Sequence, residues 1–110
     1  MKRNYIQLVK EVKQDGTPEL ETFFTPGFIP FRKVYEAVDL MAGGSDSESK
    51  QMLESMKFIV EVYDNQFTVD DLFDKLHAPN AMEEIQKQIE FVAQGNMDED
   101  RKKKLNQMLS

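Results

Sequence analysis

Beyond residue 30 the apolar positions of this chain step by three and four, the period of an amphipathic helix. The first such stripe is Phe31, Val34, Tyr35, Val38 and Met41, with Pro30 just ahead of it and Gly43-Gly44 behind it. A proline there costs a helix nothing, because the first N–H groups have no intrahelical acceptor. After a polar connector over 45–49, in which Ser45 and Glu48 have capping-box spacing, a longer stripe carries Met52, Met56, Ile59, Val60 and Tyr63. A short third helix presents Val69, Leu72, Phe73 and Leu76 and is predicted to end at Ala78-Pro79. Asn80 and Glu83 repeat the capping-box spacing ahead of a fourth stripe of Met82, Ile85, Ile89 and Val92, and Gly95 is its natural stop. The last segment opens on Asp98-Glu99-Asp100 and closes on Leu105, Met108 and Leu109. Acids at its start and bases further on suit the dipole of a helix of about three turns, too short to be stable alone.

The first thirty residues follow another rule. Tyr5, Leu8, Val9 and Val12 fit a helical stripe, whereas Ile6, Leu8 and Val12 share one face of a strand. The stretch Gln14-Asp15-Gly16-Thr17-Pro18 is a strong turn signal, and Glu19 to Thr25 forms a second run with strand-favouring residues. Two such runs around Asp-Gly predict a β-hairpin over about 4–25. The fold class that results is mainly α, a small helical domain of four or five helices with a short N-terminal β-hairpin. Residues 1–97 are expected to form the domain and residues 98–110 a basic C-terminal helical arm.

Between the second and third stripes lies a connector with explicit local chemistry. Asp64 and Asn65 tolerate the left-handed conformation that a helix exit needs. Thr68 is placed to cap the next helix, and Asp71, three residues on, to reach back to the cap residue's own N–H. Asn65, Gln66, Phe67, Thr68 and Asp71 are therefore expected to fix the angle between two helices.

Composition narrows the function by exclusion. One hundred and ten residues suit one domain, and 40% hydrophobic with 31% charged residues suits a globular chain with a charged surface. No run approaches the roughly 20 apolar residues of a membrane span. There are no cysteines, so disulfides, thiolate metal sites and thiol catalysis are excluded. The net charge of −6 is unevenly spread. Residues 1–44 balance six basic against six acidic side chains, residues 45–100 hold four basic against fourteen acidic, and residues 101–110 hold four basic and no acidic ones. An acidic body argues against nucleic-acid binding, which needs clustered Lys and Arg. The basic end either contacts an acidic partner or folds against its own acidic helices.

No constellation for catalysis emerges. His77 is the sole histidine and has no second His or Cys to form a metal site with. Asp70, Asp71 and Asp74 lack the glycine and distal glutamate of a calcium loop and sit where a helix start favours acids. Gly43-Gly44 lacks the Lys-Ser/Thr of a phosphate loop. Neither catalytic nor cofactor-binding nor metal residues are nominated. Candidates for protein contacts are plainer. Met52, Met56 and Met82 fall on expected core faces, whereas Met97 and Met108 suit exposed contacts. Phe23, Phe24, Phe28 and Phe31 cluster within nine residues, and either seal the hairpin onto the helices or form an exposed apolar strip.

The order of these features resembles the small tail assembly chaperones of long-tailed (siphovirus-type) phages and prophages of Gram-positive bacteria. The resemblance rests on the N-terminal hairpin, the entry Phe28-Ile29-Pro30-Phe31-Arg32, and above all Asn65-Gln66-Phe67-Thr68 with the acidic helix behind it. This chain differs from the family pattern at Asp64 and at Lys75-Leu76-His77. The resemblance implies a non-enzymatic chaperone of the host bacterial cytoplasm, absent from the mature virion, without cofactors and without nucleic-acid or membrane partners. It would bind the tape measure protein and recruit major tail (tube) protein subunits, with a homo-oligomer and a longer frameshifted form as further expectations. Phe28, Phe31, Leu105, Met108 and Leu109 are the residues expected to contact partners. The alternative is an acidic helical adaptor or regulatory protein of a bacterium or mobile element.

Overall fold

The computed structural model describes residues 3–43, 47–95 and 99–109. Gly44, Ser45, Met97 and Asp98, and the side chains of Leu105 and Leu109, all named above, lie outside that description. Two antiparallel strands, β1 (Tyr5–Val12) and β2 (Pro18–Phe24), form the N-terminal hairpin. Five helices follow among the described residues: α1 (Arg32–Met41), α2 (Glu48–Val62), α3 (Val69–Lys75), α4 (Ala78–Gln94) and α5 (Glu99–Leu109). The mainly α domain with one small hairpin is thus the fold that the periodicities predict.

In the hairpin Tyr5 pairs with Phe24 and Val12 with Pro18, and the register slips between Val9 and Glu11. Ile6 and Leu8, before the slip, are buried. Val12, expected on the same face, is exposed. An extra residue in one strand bends it and resets which face later side chains occupy. The tip turn is closed by Lys13, whose N–H donates to the Thr17 carbonyl at 2.8 Å, and by Asp15, which accepts from the Thr17 N–H at 2.9 Å and from its hydroxyl.

Helix α2 is the centre of the core. Met56, Ile59, Val60 and Tyr63 are buried as its stripe requires, and Phe58 and Val62 are buried besides. Ile6 and Leu8 from β1, Ala37 from α1, Leu72 from α3, and Ile85 and Ile89 from α4 complete the cluster around it.

Three helix boundaries differ from the expected ones. Ser47 is the residue that caps α2, accepting from the Lys50 N–H at 3.2 Å, which makes Glu48 the first helical residue and no capping-box partner. Ala78-Pro79 opens α4 and does not close α3, which already ends at Lys75. The fixed φ of proline suits a first turn and its missing N–H is not needed there. Asn80 is consequently inside α4, its N–H donating to the His77 carbonyl at 3.0 Å, and is not a cap. At the other end Gly95 adopts φ 68°, the left-handed conformation that lets α4 stop.

The hairpin is locked to the helices by buried polar groups. Gln88 of α4 is their hub. Its side-chain carbonyl accepts from the Tyr63 hydroxyl at 2.6 Å and from the Asn4 amide at 3.1 Å. Its amide donates to the Tyr5 backbone carbonyl at 2.8 Å and to Glu84 at 3.0 Å. Asn4 and Thr25 exchange further bonds across the open end of the hairpin, through the Thr25 hydroxyl and the Thr25 N–H.

Candidate partner-binding surface

Helix α1 carries a strongly one-sided apolar stripe and turns most of it away from the core. Phe31 is 80% exposed, Tyr35 77% and Val38 54%, and Phe28 in the preceding loop is 76% exposed. At about 100° per residue, Phe31, Tyr35 and Val38 share one narrow face, while Lys33, Ala37 and Leu40 share nearly the opposite one. That opposite face meets the body. Ala37 is fully buried and Leu40 packs against the core. The Lys33 ammonium pairs with Glu36 at 2.9 Å and Glu61 at 3.5 Å and lies 5.7 Å from the centre of the Phe58 ring. The expected period is therefore correct, but a small and a cationic residue anchor the helix and the large apolar ones are left outside.

The same outward turn occurs at two more positions. Phe73 of α3 is exposed, and Met82 of α4 is 62% exposed, although both lie on stripes read as core faces. Both helices are held instead by their neighbours, Leu72 in one and Ile85 and Ile89 in the other. Met82 stands at a groove of about 650 Å³ between α1, α2 and α4, with Leu40, Met41, Met52, Ile85 and Ile89 also lining it and Glu48 and Glu83 among its polar residues. Three methionines there give a lining that adapts its shape to an apolar segment. Met41 belongs both to this groove and to the flank of the α1 strip.

The four phenylalanines of the N-terminal third divide two and two. Phe23 meets Phe67 edge-on with ring centres 5.1 Å apart, and Phe24 lies under the Arg3 guanidinium at 5.6 Å. Phe28 and Phe31 project into solvent. At the C-terminal end Met108 is half-buried. The α5 helix touches the hairpin through Lys104, whose ammonium donates to the Gln7 side-chain carbonyl at 3.0 Å.

The connector between α2 and α3 is built as a brace. Asp64 and Asn65 have φ of 57° and 60°, and the Asn65 N–H reaches the Val60 carbonyl at 3.0 Å. Thr68 Oγ1 accepts from the Asp71 N–H at 3.1 Å, and the Asp71 carboxylate accepts from the Thr68 N–H at 2.9 Å. Those bonds, the Thr68 N–H first and the Lys75 side chain second, hold the Asp71 carboxyl below its ordinary pKa. Phe67 is buried against Tyr63 and Phe23. Gln66 does more than shape the turn, because its side-chain amide donates to the Phe24 carbonyl at 2.7 Å and ties the connector to the hairpin.

His77 precedes α4 and its side chain makes no cap bond. Among the described residues no three His, Asp or Glu side chains group as a metal ion would require, Asp70, Asp71 and Asp74 included. None of the described helices is long and apolar enough to cross a membrane.

The family model for phage tail chaperone protein matches residues 1–108. The chain belongs to the phage tail chaperone protein family. No curated protein and no solved structure matches it. Phage tail chaperones act in tail assembly through other tail proteins and are generally non-enzymatic, which removes a general helical adaptor as the reading of this chain. For such a chaperone, the exposed α1 strip and the methionine-lined groove are the surfaces whose chemistry suits an apolar client. The sequence reading expects Phe28 and Phe31 in partner contacts, and both are exposed; it sets Tyr35, Val38 and Met82 on helical stripes, and all three are exposed as well. The signal available was the side of α1 opposite the stripe, where Ala37 and Leu40 offer a second apolar face beside Lys33.

Proposed function

We propose that this phage tail chaperone binds the tape measure protein along α1 and the adjoining groove, and brings tail tube subunits to it. The observation that carries the reading is the outward face of α1. Phe31, Tyr35 and Val38 share one exposed apolar face, and Phe28 is exposed in the loop before it, in a chain whose family serves tail assembly. Apolar surface kept at a protein's exterior favours a partner that covers it. An amphipathic helix of the tape measure protein would lay its own stripe there and extend toward Met41, Met52 and Met82 in the helix-in-groove manner. The acidic rim then selects clients that carry Lys or Arg beside their apolar positions. Residues 1–97 act as the body in this reading and residues 98–110 as a basic arm, with Leu105, Met108 and Leu109 offering a second apolar contact for the tube protein. The chaperone works in the cytoplasm of the infected bacterium and leaves before the virion is complete.

The test is co-purification of the cognate tape measure protein with wild-type chaperone and with Phe31→Asp and Met82→Glu variants. Loss of capture by folded variants supports the reading. Capture that is unchanged by both substitutions overturns it.

A further inference from the structure

Two charged residues flank the exposed strip of α1, and their spacing carries information that the strip alone does not. Arg32 and Asp39 are seven residues apart, two helical turns, and therefore lie on the same flank of the Phe31–Tyr35–Val38 line. Both are exposed, and neither has an ion-pair partner among the described residues. By contrast Lys33 and Glu36, the other charged residues of the helix, are already paired with each other.

We infer that two copies of this chain associate by packing α1 against α1 antiparallel, each Arg32 pairing with Asp39 of the other copy. The registers agree. Around a two-fold axis crossing the helix between Tyr35 and Val38, Tyr35 of one copy lies over Val38 of the other. Phe31 lies over the small, exposed Ala42, which leaves room for the ring. The same axis places each Arg32 opposite Asp39 on one flank, and Val34 opposite Met41 on the other. A parallel pairing would set Arg32 against Arg32 and Asp39 against Asp39, which like-charge repulsion disfavours. A two-fold, self-complementary patch of this kind makes a closed dimer and no chain of copies.

The area suits a reversible contact. An aromatic side chain offers roughly 150–250 Å², and two of them per copy, Phe31 and Tyr35, at about three-quarters exposure give roughly 450–750 Å² over both copies. Val38, Ala42 and Met41 add to this but leave the total below about 1,200 Å², in the range of weak, transient contacts. The inference rests on the reading of the outer face of α1 as an interaction surface but commits to a second copy as its resting occupant. A client that needs Phe31 and Tyr35 then competes with the second copy.

Sedimentation velocity of the isolated chain over a dilution series tests this without any client. Wild type should show a concentration-dependent monomer–dimer equilibrium. Arg32→Asp and Asp39→Arg should each weaken the dimer about tenfold or more, by turning two attractive pairs into two repulsive ones. The doubly reversed chain, carrying both changes, should regain the wild-type dimer. Circular dichroism of the variants checks that α1 remains folded. A wild-type chain that stays monomeric, or a dimer indifferent to the charge reversals, overturns the inference. Tape measure capture can succeed or fail independently of both.

Discussion

The Tyr63 hydroxyl donates to the side-chain carbonyl of Gln88 at 2.6 Å, with both residues buried. The bond joins the last turn of the central helix to α4, and the same carbonyl also receives Asn4 from the base of the hairpin. One side chain thus serves three elements. No buried side-chain nitrogen or oxygen among the described residues lacks a hydrogen bond, and Gln88 supplies several of those partners. Gln88→Leu keeps the volume and removes them, so it should destabilise the fold by about 2–4 kcal/mol in urea denaturation. Tyr63→Phe, which leaves the other Gln88 bonds in place, should cost about 1 kcal/mol. Equal costs for the two would show that Gln88 is not the hub.

The capping box at the start of α3 gives a smaller and more local effect. Thr68→Ala should lower stability by about 1 kcal/mol through the lost cap, read as a drop in melting temperature. Client capture should be unchanged at saturating concentration. A Thr68→Ala chain of wild-type stability that lost tape measure binding would make the connector a recognition site.

Asp71 makes the same box sensitive to acid. Its folded pKa is depressed, so the unfolded chain binds the proton more readily than the folded one. The stability it contributes is complete above the ordinary carboxylate range, near pH 4, and is lost as the pH falls through that range toward the depressed value. Asp71→Asn can still accept from the Thr68 N–H but cannot titrate. The variant should therefore show a shallower loss of melting temperature between about pH 5 and pH 3 than wild type. Identical acid limbs would remove Asp71 from the account.

Substitutions on the α1 strip should separate stability from binding. Tyr35→Asp replaces an exposed side chain and should change unfolding free energy by no more than about 0.5 kcal/mol. It should sharply reduce co-purification with the tape measure protein. A large fall in melting temperature would show that Tyr35 supports the fold.

Removing residues 98–110 tests the arm. The contact of α5 with the hairpin, Lys104 to Gln7, is polar and exposed, and its loss should leave the melting temperature close to that of the full chain. Binding of the tube protein should weaken. A large fall in melting temperature would place α5 in the core, and unchanged binding to both tail proteins would end the arm proposal.

Most of the architecture was readable from residue periodicity because the determinants are local. Asp15-Gly16 sets the hairpin turn, Gly95 stops α4, and Thr68 with Asp71 starts α3. What periodicity cannot report is which way a stripe faces, since that depends on what else packs against the helix. The α1 stripe has the same spacing as that of α2, yet Ala37 and Lys33 hold α1 to the body and its aromatic residues do not. Gln88 was hidden for a related reason. It lies among Ile85, Ile89 and Val92 on the buried face of α4, and a lone amide there signals a polar partner without naming it. Asn4 and Tyr63 are 84 and 25 residues away.

That separation sets an order of events during synthesis. The hairpin is made first, but Asn4 and the Tyr5 carbonyl find their side-chain partner only when Gln88, 84 and 83 residues later, has been added. At bacterial or slower elongation rates the interval is roughly 4–17 s. During it Ile6 and Leu8 have no α4 to close over them, and the nascent chain carries the exposed apolar surface of an unfolded client. A protein that serves other tail proteins thus passes through a client-like state of its own, ended by the arrival of a single glutamine from the ribosome.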